Sequence, residues 1–155
     1  MLQIRELSKT YPNGVQALKK VTLDIPKGMF GLLGPNGAGK SSLMRTLATL
    51  QEADSGSVLF EAVDVLKDKE QVRRMLGYLP QDFGVYPRVT AYDMLEHMAV
   101  LKGVADKGDR KAVVESLLNQ TNLWNHRGHF IAGFSGGMRQ RFGIAQALLG
   151  NPQLI

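Results

Sequence analysis

Gly34-Pro35-Asn36-Gly37-Ala38-Gly39-Lys40-Ser41-Ser42 is the stretch on which the reading of this chain turns. From Gly34 to Ser41 it satisfies G-x-x-x-x-G-K-[ST], a pattern with a physical reason. Its glycines let the backbone wrap closely and turn successive N–H groups inward on an anion. The helix expected to follow adds its unpaired first N–H groups and the positive end of its dipole. In this pattern Lys40 reaches the β- and γ-phosphates of a nucleotide, and the Ser41 hydroxyl ligates Mg²⁺. The flanks agree. Residues 29–33, Met-Phe-Gly-Leu-Leu, form an apolar run that predicts a buried strand. Leu43, Leu47 and Leu50, with Met44 and Ala48 alongside, recur at helical spacing. Strand, glycine loop and helix is the order that the motif requires, and it marks a nucleotide site.

Composition sets looser bounds. A chain of 155 residues is long enough for one ordinary domain with a real core. Hydrophobic residues at 44% against 21% charged describe a globular chain rather than a disordered one. With no cysteine, disulfides, thiol catalysis and Cys-ligated zinc are excluded. No apolar run approaches the roughly 18 residues of a membrane span. Residues 1–6 lack the hydrophobic segment of a signal peptide, so the expected compartment is cytoplasmic, with any membrane role exerted through a partner. The net charge of +5 is dispersed, its densest clusters being pairs such as Lys19-Lys20 and Arg73-Arg74. That reads as a solvated surface, and nucleic acid is not an expected partner.

Upstream of the loop, residues 2–7 alternate apolar Leu2 and Ile4 with Gln3 and Arg5, which predicts a half-buried strand. Pro12-Asn13-Gly14 is a turn signal, and residues 15–25 resume an extended pattern with Val21, Leu23 and Ile25 on one face. Tyr11 sits at the edge of that turn; alone, such an aromatic is more often surface or core than ligand-binding. Downstream, residues 53–56 predict a turn, 58–60 a short strand, 68–75 a short charged helix and 76–79 a second buried strand. Gln81 follows that strand. A polar residue there fits a ligand position in an open α/β sheet or an ordinary strand end equally well.

The pattern changes over residues 82–130. Thr90 is an expected N-cap for a helix over 91–101, with Met94, Leu95, Met98 and Leu101 on one face. A second helix is predicted over 109–123, with Val113, Val114, Leu117 and Leu118 as its stripe. Two helices with no intervening strand read as a helical insertion in the sheet domain. His97, His126 and His129 have no metal-ligand spacing. Then comes Phe134-Ser135-Gly136-Gly137-Met138-Arg139-Gln140-Arg141, where Ser135 caps a predicted helix bearing Met138, Phe142, Ala145, Leu148 and Leu149. Ser-Gly-Gly at a helix start is again an anion-binding arrangement. It also fits a simple cap with glycines that let the helix pack closely, and the residues alone leave both open.

Together these residues resemble the nucleotide-binding domain of ATP-binding cassette (ABC) transporters, over essentially the whole chain. Residues 34–42 are similar to the Walker A loop, Gln81 to the Q-loop glutamine, residues 135–140 to the family signature and Tyr11 to the aromatic that stacks on adenine. Phosphate loops are shared by many NTPases; this ordered set is specific to the family. The resemblance implies an α/β fold of the P-loop NTPase type, ABC ATPase variety, with an antiparallel β subdomain and a helical insertion. The implied division is residues 1–81 as nucleotide-binding core, 82–134 as helical subdomain and 135–155 as signature helix and start of the Walker B strand. It implies ATP and Mg²⁺ as ligands, contacted by Tyr11, Gly34, Pro35, Asn36, Gly37, Ala38, Gly39, Lys40, Ser41 and Ser42. Lys40 and Gln81 take catalytic roles, and Ser41 and Gln81 lie on the metal side. Ser135, Gly136 and Gly137 would serve the γ-phosphate of ATP held by a second nucleotide-binding domain in a head-to-tail dimer. The further partner implied is a separate membrane-spanning subunit, with this chain peripheral at the inner face of the membrane.

Some positions depart from the family pattern. Phe134 stands for the usual Leu, Ser42 for the usual Thr and Ala62 where Gly is frequent; the first two keep an apolar anchor and a hydroxyl. Residues 151–155 look like the lead-in to the Walker B strand, and the acids that follow it in the family are not in this sequence. The expectation is therefore an N-terminal piece of a longer cassette, its core sheet incomplete, which binds ATP but hardly hydrolyses it, whereas the full domain is an ATPase. Residues 79–87 look most like exporter subunits. The alternative is a cassette of the non-transport type that acts on ribosomes or DNA.

Overall fold

A computed structural model of the chain describes residues 1–80 and 88–155. These fall into two compact units, Met1–Arg73 and Arg74–Ile155.

The first unit is built on one antiparallel sheet. Strand β1 (Leu2–Thr10) lies between β2 (Gln16–Ile25) and β3 (Ser55–Phe60), and the short β4 (Val63–Asp64) pairs with β3. The predicted alternation in β1 holds, with Leu2 and Ile4 buried and Arg5 exposed. Ile4 pairs with Leu23 on one side and Val58 on the other, and Leu2 with Ile25 and Phe60, so apolar rows cross three strands. The register shifts along the β1–β2 ladder coincide with two left-handed residues, Glu6 at φ +46° and Lys20 at φ +45°. The Glu6 N–H donates to Thr22 Oγ1 (3.1 Å) and the Lys20 N–H to Ser8 Oγ (3.1 Å), so hydroxyls satisfy these amides. Helix α1 (Lys40–Leu47) packs on β2 and buries Ser42, Leu43, Thr46 and Leu47. Leu50 lies beyond its end and is exposed. Helix α2 (Lys69–Met75) buries Val72.

The strand predicted over residues 29–33 does not form. Met29 is 103% and Leu33 93% exposed, and no described residue offers these amides a ladder. An apolar run becomes a buried strand only beside a hydrogen-bonding neighbour, and the described strands pair among themselves as β2-β1-β3-β4. The strand predicted over 76–79 is likewise reduced to one parallel bridge between Leu76 and Leu154, with the Gly77 N–H donating to the Leu154 carbonyl (2.7 Å).

The second unit is helical. Helices α3 (Ala91–Leu101), α4 (Lys107–Gln120) and α5 (Gly136–Leu148) close around Leu95, Leu118 and Phe142, with Leu123, Ile131 and Phe134 filling between them. The face of α3 differs from the expected stripe. Ala91, Leu95 and Ala99 are fully buried, Met94 and Met98 pack beside them, and Leu101 is exposed. Alanines four residues either side of Leu95 lie on the same helix face and let the neighbouring helices approach closely. Helix α4 starts at Lys107, earlier than predicted, because Asp106 Oδ1 accepts the Asp109 N–H (2.9 Å) as its cap. The predicted cap Thr90 is in place: its Oγ1 accepts the Asp93 N–H (3.1 Å) and donates to Asp93 Oδ2 (2.6 Å).

Candidate functional site

The loop over residues 34–39 is open to solvent and runs directly into α1. Gly39 is the N-cap of that helix in the left-handed conformation, φ +85° and ψ +2°. A Cβ at this position would lie 2.3 Å from the Ala17 carbonyl oxygen, so glycine is required by both conformation and space. Gly37 is also left-handed (φ +84°) but has open space around it. Lys40 turns back over the loop, and its ammonium donates to the carbonyls of Gly34 and Pro35, both at 2.6 Å. The Ala38 N–H closes the turn onto Pro35 O (3.2 Å). The first turn of α1 contains no acid, so nothing on the helix itself neutralises its positive end. Cation, helix start and glycine backbone therefore lie together at the surface, groups of the kind that can hold an anion.

Ser41 is exposed and Ser42 is 8% exposed. The buried hydroxyl of Ser42 meets the Tyr11 Oη at 2.9 Å, and the same Tyr11 Oη donates to Gln51 Oε1 at 2.8 Å. Because the one Tyr11 hydroxyl hydrogen goes to Gln51, Ser42 must donate to Tyr11. That leaves the backbone N–H as the group Ser42 can turn toward an anion. The structure thus ties Tyr11 to the first turn of α1, which follows the loop. Sequence reasoning gave no role to Gln51 or Thr46, and their spacing carries no motif that would have singled them out.

In the second unit, Ser135 caps α5, its Oγ accepting the Met138 N–H (3.3 Å), as predicted. Arg139 Nε donates to the Phe134 carbonyl (2.9 Å), and Phe134, itself buried, stacks edge-to-face on Phe142 with centroids 6.3 Å apart. A Cβ at Gly136 would meet nothing within 4 Å, and one at Gly137 only the end of Arg141 at 3.8 Å. Among the described residues, packing therefore does not require glycine at either position. The first turn of α5, like that of α1, holds no acid. Gln81 lies outside the described residues. Among the described residues, no group of three or more His, Cys, Asp and Glu side chains could hold a metal ion, and no helix is long and apolar enough to cross a membrane.

Comparison with known proteins agrees with this picture. The family described as ABC transporter matches residues 18–155. The phosphonates import ATP-binding protein PhnC 2 of Synechococcus sp. (strain JA-2-3B'a(2-13)) is 36% identical, the alignment covering 100% of this chain and 62% of that protein. The lantibiotic transport ATP-binding protein SrtF of Streptococcus pyogenes is 35% identical, covering 100% and 64%. The chain thus spans less than two-thirds of either relative. Among solved structures, the dimeric post-hydrolysis state of the ATP-binding cassette MJ0796 bound to ADP and Pi superposes with a TM-score of 0.85 at 30% identity, covering 98% of this chain and 71% of that one.

Proposed function

This chain belongs to the ABC transporter family, and from that membership we propose that it is the ATP-binding part of a transporter ATPase. The observation that carries the proposal is the exposed glycine loop entering an acid-free helix start, with Lys40 folded over its carbonyls. On binding MgATP, the Lys40 ammonium exchanges those carbonyls for phosphate oxygens, a charge-assisted contact of the stronger kind. The N–H groups of the loop and of Lys40, Ser41 and Ser42 hold the remaining oxygens. The exposed Ser41 hydroxyl is a hard oxygen donor of the type Mg²⁺ prefers, and the ion would supply charge neutralisation at the β- and γ-phosphates. In this reading Tyr11 offers its ring to adenine, and Gln81 takes the family's Q-loop role of serving the metal and the attacking water.

The rest of the proposal is assembly. Ser135, Gly136 and Gly137 present an acid-free helix start whose glycines pack against nothing, suited to the γ-phosphate of ATP held by a second cassette. The dimeric arrangement of the MJ0796 cassette supports such pairing. By function we assign residues 1–81 to the core, 82–134 to the helical subdomain and 135–155 to the signature segment, a division that differs from the compact units Met1–Arg73 and Arg74–Ile155. Hydrolysis in the complete ATPase drives transport through a membrane-spanning partner at the cytoplasmic face, in the export direction.

The test is Mg-ATP binding by calorimetry in the parent and in Lys40→Met. Removing a charge-assisted phosphate contact is expected to weaken binding by about tenfold or more, with the thermal midpoint little changed. Equal affinity in the two proteins would overturn the nucleotide reading of this loop.

A further inference from the structure

Tyr11, Ser42, Thr46 and Gln51 form a closed ring of hydrogen bonds. The Ser42 hydroxyl donates to Tyr11 Oη (2.9 Å), and Tyr11 Oη donates to Gln51 Oε1 (2.8 Å). Gln51 Nε2 donates to Thr46 Oγ1 (3.4 Å), and Thr46 Oγ1 donates to the carbonyl of Ser42 (2.9 Å), which returns the ring to its start. Each hydroxyl hydrogen has one acceptor, and the directions are mutually consistent. Turning the Gln51 amide over would set its oxygen against Thr46 Oγ1, whose hydrogen is already given to Ser42 O. Thr46 is 1% exposed, and its hydroxyl is committed to partners within the ring. The backbone of Tyr11 is fixed as well: its N–H donates to Val15 O and its carbonyl accepts from the Gly14 N–H, both at 2.9 Å.

We propose that Gln51 is a positioning residue for the nucleotide base, acting through Tyr11. This rests on the reading that the Tyr11 ring carries the base. A tyrosine at a turn has two side-chain torsions to settle before its ring can stack, and ordering them on binding costs affinity. Gln51 removes that cost by holding the hydroxyl at the far end of the ring. Thr46 holds Gln51 in turn, and Ser42 anchors both to the helix that follows the phosphate loop. The base end and the phosphate end of the site are thereby set at a fixed separation before any ligand arrives.

The experiment compares ATP with inorganic tripolyphosphate, both with Mg²⁺, on the full chain and on Tyr11→Ala, Tyr11→Phe, Gln51→Leu and the double variant Tyr11→Phe/Gln51→Leu. Losing the clamp is expected to weaken ATP by about three- to tenfold in Tyr11→Phe and in Gln51→Leu. Tripolyphosphate, which has no base, is expected to bind all of them alike. The double variant is expected to be no worse than either single one, because both remove the same link. If Tyr11→Ala leaves ATP affinity unchanged, the base reading itself fails. If Tyr11→Ala weakens ATP but Tyr11→Phe and Gln51→Leu do not, the ring stacks without the clamp and this inference alone is overturned. Equal losses for ATP and tripolyphosphate in Gln51→Leu would overturn it too, since they mean a general disturbance of the helix.

Discussion

At the scale of single residues, two glycines of one loop separate conformation from space. Gly37 and Gly39 have nearly the same left-handed φ, +84° and +85°. Only Gly39 is also crowded, with Ala17 O at 2.3 Å and Leu18 Cδ2 at 3.3 Å from a built Cβ. Gly37→Ala is expected to lose about 1 kcal/mol of stability, the lower end of left-handed strain. Gly39→Ala adds a backbone clash that no rotamer relieves, and is expected to lose about 3 kcal/mol or more. Urea titrations of the two variants check this, and equal midpoints would show that the loop relaxes away from β2. Both glycines were legible in the sequence, because the loop motif is local and its spacing encodes its geometry. The ring through Tyr11 was not, since Tyr11 lies 31 residues from Ser42 and 40 from Gln51. Tyr11 was singled out only through resemblance, and with a different contact in view.

At the scale of elements, what a segment needs from elsewhere decided how well it could be read. Caps for α3 and α5 were read correctly because the acceptor and its amide lie three residues apart. Residues 29–33 were misread as a strand because a ladder depends on a partner that a local window cannot supply. The junction of β1 with β3 shows the same dependence in a form that can be titrated. Asp54, just before β3, accepts from Lys9 Nζ (2.8 Å) and from the Thr10 N–H (2.6 Å), while its own N–H donates to Ser8 O (2.9 Å). The Lys9 hydrogen bond, then the Thr10 amide, hold its carboxyl below the usual carboxylate range. A depressed folded-state pKa means that the stabilisation is present above the ordinary carboxylate range and is lost as pH falls through the folded value. Asp54→Asn is therefore expected to lower the denaturation midpoint at neutral pH, with the gap to the parent closing in acid. Melting curves across that range check it; a gap that is constant with pH would assign the effect to lost shape rather than charge.

At the scale of the whole chain, each unit has a core of its own. The sheet unit buries Ile4, Leu7 and Val58 without exposure, and the helical unit does the same with Leu95, Val114 and Leu118. Class and composition were legible at this scale: alternating strands around a glycine loop, then apolar stripes at helical period. The contact faces were less so, since a stripe names candidates and packing selects among them, choosing Ala91 and Ala99 of α3 over Leu101. Leu118 is the sharpest probe of the helical core, because it sits on α4, which contacts both α3 and α5. Leu118→Ala leaves a cavity among three helices that cannot all collapse into it, at an expected cost of about 2–5 kcal/mol. Native-state hydrogen exchange reads the consequence directly: amides of α3, α4 and α5 should lose protection together, as members of one cooperative unit. Loss confined to α4 would mean that the three helices open separately, and that Leu95 and Phe142 stay buried without it.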